Sequence, residues 1–210
     1  MKKIILLSGW KGSGKDTVAN LLVSNYGFKR IAFADSLKDM VSELYNIPRS
    51  HFDHRELKDK PILSYPVKYS DKSSQKVIKI FYNELRDENG HPPTFFNRKL
   101  FWTPRTLCIF EGSTKRAVDP NFWVKNAINS INLDNDYVFS DTRFKSEIGV
   151  ISDTVKTHKV ITIRINRDRS IDSNDSSERE LDSHKFDYHI DNFGDFSSLK
   201  EKVDSLIKLL

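Results

Sequence analysis

The feature that most constrains this chain is a short loop near its start. Gly9-Trp10-Lys11-Gly12-Ser13-Gly14-Lys15 has the spacing G-x-x-x-x-G-K. It follows Ile4, Ile5, Leu6 and Leu7, a continuous apolar run of the kind that a parallel strand buried on both faces requires. A helix is expected from about Lys15, with Val18, Leu21 and Leu22 on one side and Gly27 as its stop. Strand, glycine-rich loop and helix in that order form the context in which this spacing holds phosphate. Glycines let the backbone wrap an anion with its N–H groups turned inward. The helix N-terminus adds partial positive charge. Lys11, Gly12, Ser13, Gly14, Lys15, Asp16 and Thr17 are therefore the expected polyphosphate-binding residues, with Lys15 bridging the terminal phosphates.

The residue after the lysine departs from the usual pattern. A Ser or Thr hydroxyl there ordinarily ligates magnesium; here Asp16 holds the place and Thr17 follows. A carboxylate can bind magnesium directly or through water. It also sets negative charge beside phosphate, which raises the need for a cation.

The rest of the chain alternates strands and helices, which implies a mostly parallel sheet covered on both faces. Residues 28–33 read as a second strand, and Asp35 as the cap of a helix carrying Leu37, Met40, Val41, Leu44 and Tyr45. Residues 49–102 are polar and broken by prolines, and only a helix over about 76–86 is expected there. Thr103-Pro104 reads as a cap followed by proline at the first helical position, and Asp119-Pro120 repeats that signal before a helix carrying Trp123, Ala127 and Ile131. Tyr137, Val138 and Phe139 form a short strand ending near Asp141. A helical stripe follows at Phe144, Ile148, Ile151 and Val155, then a strand over 160–165. The segment 166–185 is rich in Ser, Asp and Arg and reads as a lid or a loop. A last strand at 188–190 and an amphipathic helix with Leu199, Val203, Leu206 and Ile207 close the chain.

Composition excludes several classes. Of the 210 residues 38% are hydrophobic, enough for a sheet core, and 30% are charged. No apolar run approaches a membrane span. Met1, Lys2 and Lys3 precede a short apolar stretch, but it runs into the glycine loop without a cleavage site, so a strand and not a signal peptide is expected. The single Cys108 allows no internal disulfide and sits among Leu107, Ile109 and Phe110 as a small buried thiol; cytoplasmic residence follows as the default. The net charge of +5 is scattered, so no stable nucleic-acid partner is expected. The histidines show no metal-ligand spacing.

Gly14-Lys15-Asp16-Thr17 resembles the deoxynucleoside monophosphate kinases of bacteriophages and large DNA viruses. Further segments match in order. Phe33-Ala34-Asp35-Ser36-Leu37-Lys38 resembles the entry to that family's acceptor-binding helix. Thr103-Pro104-Arg105 with Glu111-Gly112-Ser113 resembles its arginine-containing helix and following turn, although Ser113 stands where threonine is usual. Asp119-Pro120 with Trp123, then Ser140-Asp141-Thr142-Arg143-Phe144 with Glu147, resemble its next helix and its strand-end Asp-x-Arg motif. Ser177-Glu178 with Leu181, then Phe186-Asp187-Tyr188 and Ile190, resemble its C-terminal segment.

The resemblance implies an α/β P-loop fold of the nucleoside monophosphate kinase kind. That fold is one domain over 1–210, with a five-stranded parallel sheet, flanking helices, an acceptor-binding region over about 35–118 and a lid over about 166–185. It implies ATP as phosphate donor, Mg2+, small nucleotide substrates and no membrane partner, with a homodimer allowed and the host cytoplasm as location for a viral enzyme. It assigns Lys15, Arg143 and Asp141 to catalysis, and Asp16 and Asp141 to the metal. It assigns Lys38, Arg105, Gly112, Ser113, Trp123, Asp141, Arg143 and Glu147 to the substrate.

Each assignment has a plainer counterpart. Asp141 also has the chemistry of a cap for the helical segment from Arg143, and Arg143 that of a surface ion pair. Lys38 and Arg105 fit a solvated helix face, and Trp123 a core. Arg164, Arg167 and Arg169 flank the expected lid, where a closing arginine and a solvated charge are both open. Animal phosphomevalonate kinases share the Gly-Lys-Asp feature and are a neighbouring reading. A nucleic-acid-associated ATPase and a non-catalytic nucleotide-binding module are the others.

Overall fold

The computed structural model describes residues 1–64, 95–96, 99–167 and 179–210. The expected helix over 76–86, Arg169, Ser177 and Glu178 lie outside the described residues, as does most of the expected lid. The described residues form two compact units: Met1–Ala34 with Asn121–Leu210, and Asp35–Pro120.

The first unit is built on strands β1 (Lys2–Ser8), β2 (Lys29–Ile31), β5 (Tyr137–Phe139), β6 (His158–Asn166) and β7 (Tyr188–Asp191). They form one parallel sheet in the order β2-β5-β1-β6-β7. The central strand pairs Ile4 with Tyr137 on one side and Val160 on the other. Being central, β1 buries Ile4, Ile5, Leu6 and Leu7 completely, which is why its sequence is an unbroken apolar run.

Successive side chains serve opposite faces. Ile5, Leu7, Val138 and Ile163 pack with Val18 and Leu22 of α1 (Lys15–Tyr26) and with Leu199 and Val203 of α7 (Phe196–Leu209). Ile4, Leu6 and Phe139 pack with Val124 of α5 (Phe122–Ile128) and Ile151 of α6 (Lys145–Thr154). Each such side chain, fully buried, contributes about 1.5–3 kcal/mol. The Tyr26 hydroxyl donates to Asp204 Oδ1 at 2.7 Å and ties α1 to α7.

The second unit holds most of α2 (Phe33–Tyr45), α3 (Ser50–Asp53), the antiparallel pair β3 (Phe95–Phe96) and β4 (Lys99–Leu100), and α4 (Pro104–Val118). Its small core joins Val41, Ile47, Phe52 and Leu107. Thr103 caps α4 as expected. Its hydroxyl accepts from Thr106 N, and Thr106 Oγ1 accepts from Thr103 N at 2.8 Å.

Three local readings change. Asp35 does not cap α2, which begins two residues earlier because the carboxylate of Asp141 receives the N–H groups of Phe33 and Ala34. Asp119 ends α4, its N–H donating to Lys115 O at 3.0 Å, and α5 starts after Asn121 with no side-chain cap. Glu111-Gly112-Ser113 is not a turn; α4 runs through it. A Cβ on Gly112 would stand 3.0 Å from Leu37 Cδ2, and Ser113 Oγ bonds back to Phe110 O at 2.9 Å, so both residues serve the helix and its packing. Among the described residues no helix is long and apolar enough to cross a membrane.

Candidate phosphate-binding site

The loop of residues 9–15 connects the carboxyl end of β1 to α1. Its two tightest positions admit only glycine. Gly9 has φ 153°, and a Cβ there would lie 2.6 Å from both Ile165 O and Ser13 Oγ. Gly14 has φ 103°, and a Cβ would lie 2.5 Å from Asn192 Nδ2. Ser13 N donates to Trp10 O at 3.0 Å, which closes the loop into a turn. The ammonium of Lys15 folds over it, donating to Gly9 O at 2.6 Å and Trp10 O at 2.9 Å. The positive charge thus lies over the loop itself, beside the N-terminal dipole of α1. The hydroxyl of Ser13 is buried, with no hydrogen-bond partner among the described residues.

Asp16 and Thr17 open α1. The Asp16 side chain is 80% exposed, with Arg30 Nη2 at 3.6 Å, and Thr17 is half-buried. Among the described residues no three His, Cys, Asp or Glu side chains gather as a metal cage. Magnesium characteristically takes one or two carboxylates plus substrate phosphates, and the Asp16 carboxylate stands exposed directly after Lys15.

The second group lies at the end of β5, the neighbour of β1. Thr142 N donates to Leu7 O at 3.1 Å, which fastens this strand end beside the start of the loop. Asp141 uses both carboxylate oxygens on α2, at 2.9 Å to Phe33 N and 3.0 Å to Ala34 N. Glu147, buried in the first turn of α6, accepts from Arg143 N at 2.8 Å and Phe144 N at 3.0 Å. Glu147 therefore orients the backbone that carries Arg143. Trp123 is buried, edge-on to Phe122 with ring centroids 4.8 Å apart.

In the second unit, Arg105 is held by both oxygens of Asp59, at 2.5 and 3.0 Å. Lys38 reaches Asp53 at 3.0 Å and Asp35 at 3.6 Å. Arg49, at the same cluster, contacts Asp35, Asp39 and Asp53. The hydrogen bond from Arg49, followed by that from Lys38, outweighs burial and holds the Asp53 carboxyl below the usual carboxylate range. Burial opposes the Arg49 charge, but its bonds to Asp53 and Asp39 raise its pKa above the usual value.

The contacts of three residues were not anticipated from the sequence. Arg167 Nη1 donates to Gly12 O at 3.3 Å. Asn192 Nδ2 donates to Ser13 O at 2.8 Å. Arg164, 7% exposed, bonds to Ser8 Oγ at 3.1 Å and to Asp182 at 2.6 Å, with its guanidinium 5.7 Å above the Phe186 ring. Arg164 is thus a buried, paired cation next to the loop and not a loose lid charge.

A five-stranded parallel sheet with this loop between its central strand and α1 is an α/β P-loop fold. Residues 3–65 match the family model of deoxynucleotide monophosphate kinase, the family whose motifs the chain resembles. Two solved structures align along nearly the whole chain. One is TT1252 from Thermus thermophilus, at 14% identity, covering 100% of this chain and 98% of that one with a TM-score of 0.43. The other is dephospho-CoA kinase from Campylobacter jejuni, at 16% identity, covering 99% and 97% with a TM-score of 0.41. No curated protein matches the chain by sequence.

Proposed function

We propose that this chain transfers the terminal phosphate of ATP to a deoxynucleoside monophosphate, giving ADP and the deoxynucleoside diphosphate. The observation that carries the reading is Lys15. Its ammonium is anchored over a glycine-rich loop at the carboxyl end of the central strand, inside the segment that matches the deoxynucleotide monophosphate kinase family. In open α/β sheets ligands gather at that end of the strands.

An oxygen of the acceptor's phosphate attacks the γ-phosphorus of ATP. The bond from that phosphorus to the β,γ-bridging oxygen breaks, and its electron pair leaves with ADP. The attacking group is already an anion, so no general base is required. Lys15 and the backbone N–H groups of the loop would take up the charge that grows on the transferred group, by positioning and electrostatics. Arg143, whose backbone Glu147 holds in place, would grip the acceptor's phosphate through its planar fork. By the resemblance Lys38 and Arg105 serve the acceptor too, and Asp16 and Asp141 would receive Mg2+. That cation, when bound, supplies charge neutralisation between phosphates.

The test is ADP release with each deoxynucleoside and ribonucleoside monophosphate in turn, phosphomevalonate included. ADP formation that depends on a deoxynucleoside monophosphate supports the reading. Dependence on phosphomevalonate alone overturns the substrate class.

A further inference from the structure

Asn192 lies just past β7, 7% exposed. Its backbone N–H donates to Asn166 O at 2.7 Å, which fixes it to the end of β6. Its side chain donates to Ser13 O at 2.8 Å, a bond that only the nitrogen of the amide can make to a carbonyl. The same nitrogen occupies the space where a side chain on Gly14 would be, 2.5 Å from its missing Cβ. Asn192 thus fills the back of the phosphate loop, and Gly14 is glycine in part because Asn192 stands there.

The peptide between Ser13 and Gly14 is planar and trans, so the Ser13 carbonyl and the Gly14 N–H point in opposite directions. With the Ser13 carbonyl held by Asn192, the N–H of Gly14 is turned away from Asn192, toward the opposite face of the loop. A peptide free to rotate presents its carbonyl oxygen there part of the time, and that dipole repels phosphate. We infer that Asn192 is a positioning residue for polyphosphate binding: it holds the Ser13–Gly14 peptide in the orientation that donates to an anion. The inference rests on the phosphate-loop reading. It adds that the loop's donor geometry is set from outside, by the last strand of the sheet.

The experiment is calorimetric titration of inorganic tripolyphosphate into wild type, Asn192→Ser, Asn192→Ala and Asn192→Asp, with thermal melts and steady-state kinetics alongside. Asn192→Asp keeps the volume and removes the donor; Asn192→Ser keeps a donor on a shorter arm. Affinity for tripolyphosphate is expected to fall roughly ten-fold in the Ala and Asp variants, and less in Ser. The KM for ATP rises in step, while the KM for the monophosphate stays at the wild-type value. Folded Ala and Asp variants that bind tripolyphosphate as wild type does overturn the inference. An equal rise in both KM values also overturns it, because general loosening of the fold then accounts for the effect. If only Asn192→Ser is stable enough to titrate, unchanged affinity in it overturns the inference and weakened affinity supports it. A wild-type protein that binds tripolyphosphate but phosphorylates no monophosphate defeats the kinase reading and leaves Asn192 standing.

Discussion

The backbone N–H of Phe33 donates to Asp141 at 2.9 Å, so a residue two places past β5 caps the helix that follows β2. The second oxygen of the same carboxylate takes the N–H of Ala34. Removing an N-cap acceptor costs about 0.5–2 kcal/mol. Asp141→Ala should therefore lower the melting temperature, and Asp141→Asn, which keeps one acceptor oxygen, should lower it less. The metal role proposed for Asp141 adds a second effect. Asp141→Asn should lose turnover far beyond its loss of stability, which melts and kinetics on one preparation resolve.

Arg105 and Asp59 share a two-bond ion pair on a partly exposed surface. Such a pair is worth about 0–1 kcal/mol, so Asp59→Asn should barely move the melting temperature. Arg105→Ala should raise the KM for the monophosphate roughly ten- to hundred-fold through the loss of a charge-assisted contact, with the KM for ATP little changed. Steady-state kinetics with each substrate varied in turn checks both.

The Asp53 carboxyl gives a pH dependence of definite sign. Its folded-state pKa is lowered, chiefly by the hydrogen bond from Arg49, so its contribution is present above the ordinary carboxylate pKa. That contribution is lost as pH falls through the lower folded value. The side chain is 47% exposed, so after solvent screening the contribution is under about 1 kcal/mol. Asp53→Asn should reduce stability near neutral pH and leave a shallower decline in acid, as melts across pH will show.

Cys108 is half-buried, short of the buried thiol expected from its neighbours, and that burial still pushes its thiol up to about 12, so it stays protonated at neutral pH. Iodoacetamide should label native protein far more slowly than unfolded protein. Equal rates would contradict the burial.

Much of this was legible because it rests on local rules. The loop from Gly9 to Lys15 and the apolar run before it identified the central strand, since only a strand covered on both faces needs four consecutive apolar residues. Thr103 and Pro104 marked the start of α4 through cap chemistry confined to one turn. What was not legible depends on partners distant in sequence. Asp35 has the composition of a cap, but Asp141 reaches the helix first. Glu147 sits at the third helical position, where a carboxylate bonds back to the chain, yet Phe144 at the cap position hides the usual Ser/Thr signal. Asn192 is one amide after a short strand, and nothing local ties it to Ser13, 179 residues away. Arg105 and Asp59 are ordinary surface charges until the fold pairs them.

The central claim is phosphate transfer by Lys15 from ATP to a deoxynucleoside monophosphate. Its most direct measurement is ADP release and nucleotide product by wild type and Lys15→Ala, with and without the monophosphate. The account predicts ADP and deoxynucleoside diphosphate in equal amounts from wild type, and almost no ADP when the acceptor is omitted. It predicts a turnover at least about 100-fold lower in Lys15→Ala, with an unchanged melting temperature, because the ammonium lies over the loop and not in the core. ADP release at the same rate without any monophosphate, or wild-type turnover in Lys15→Ala, would contradict it.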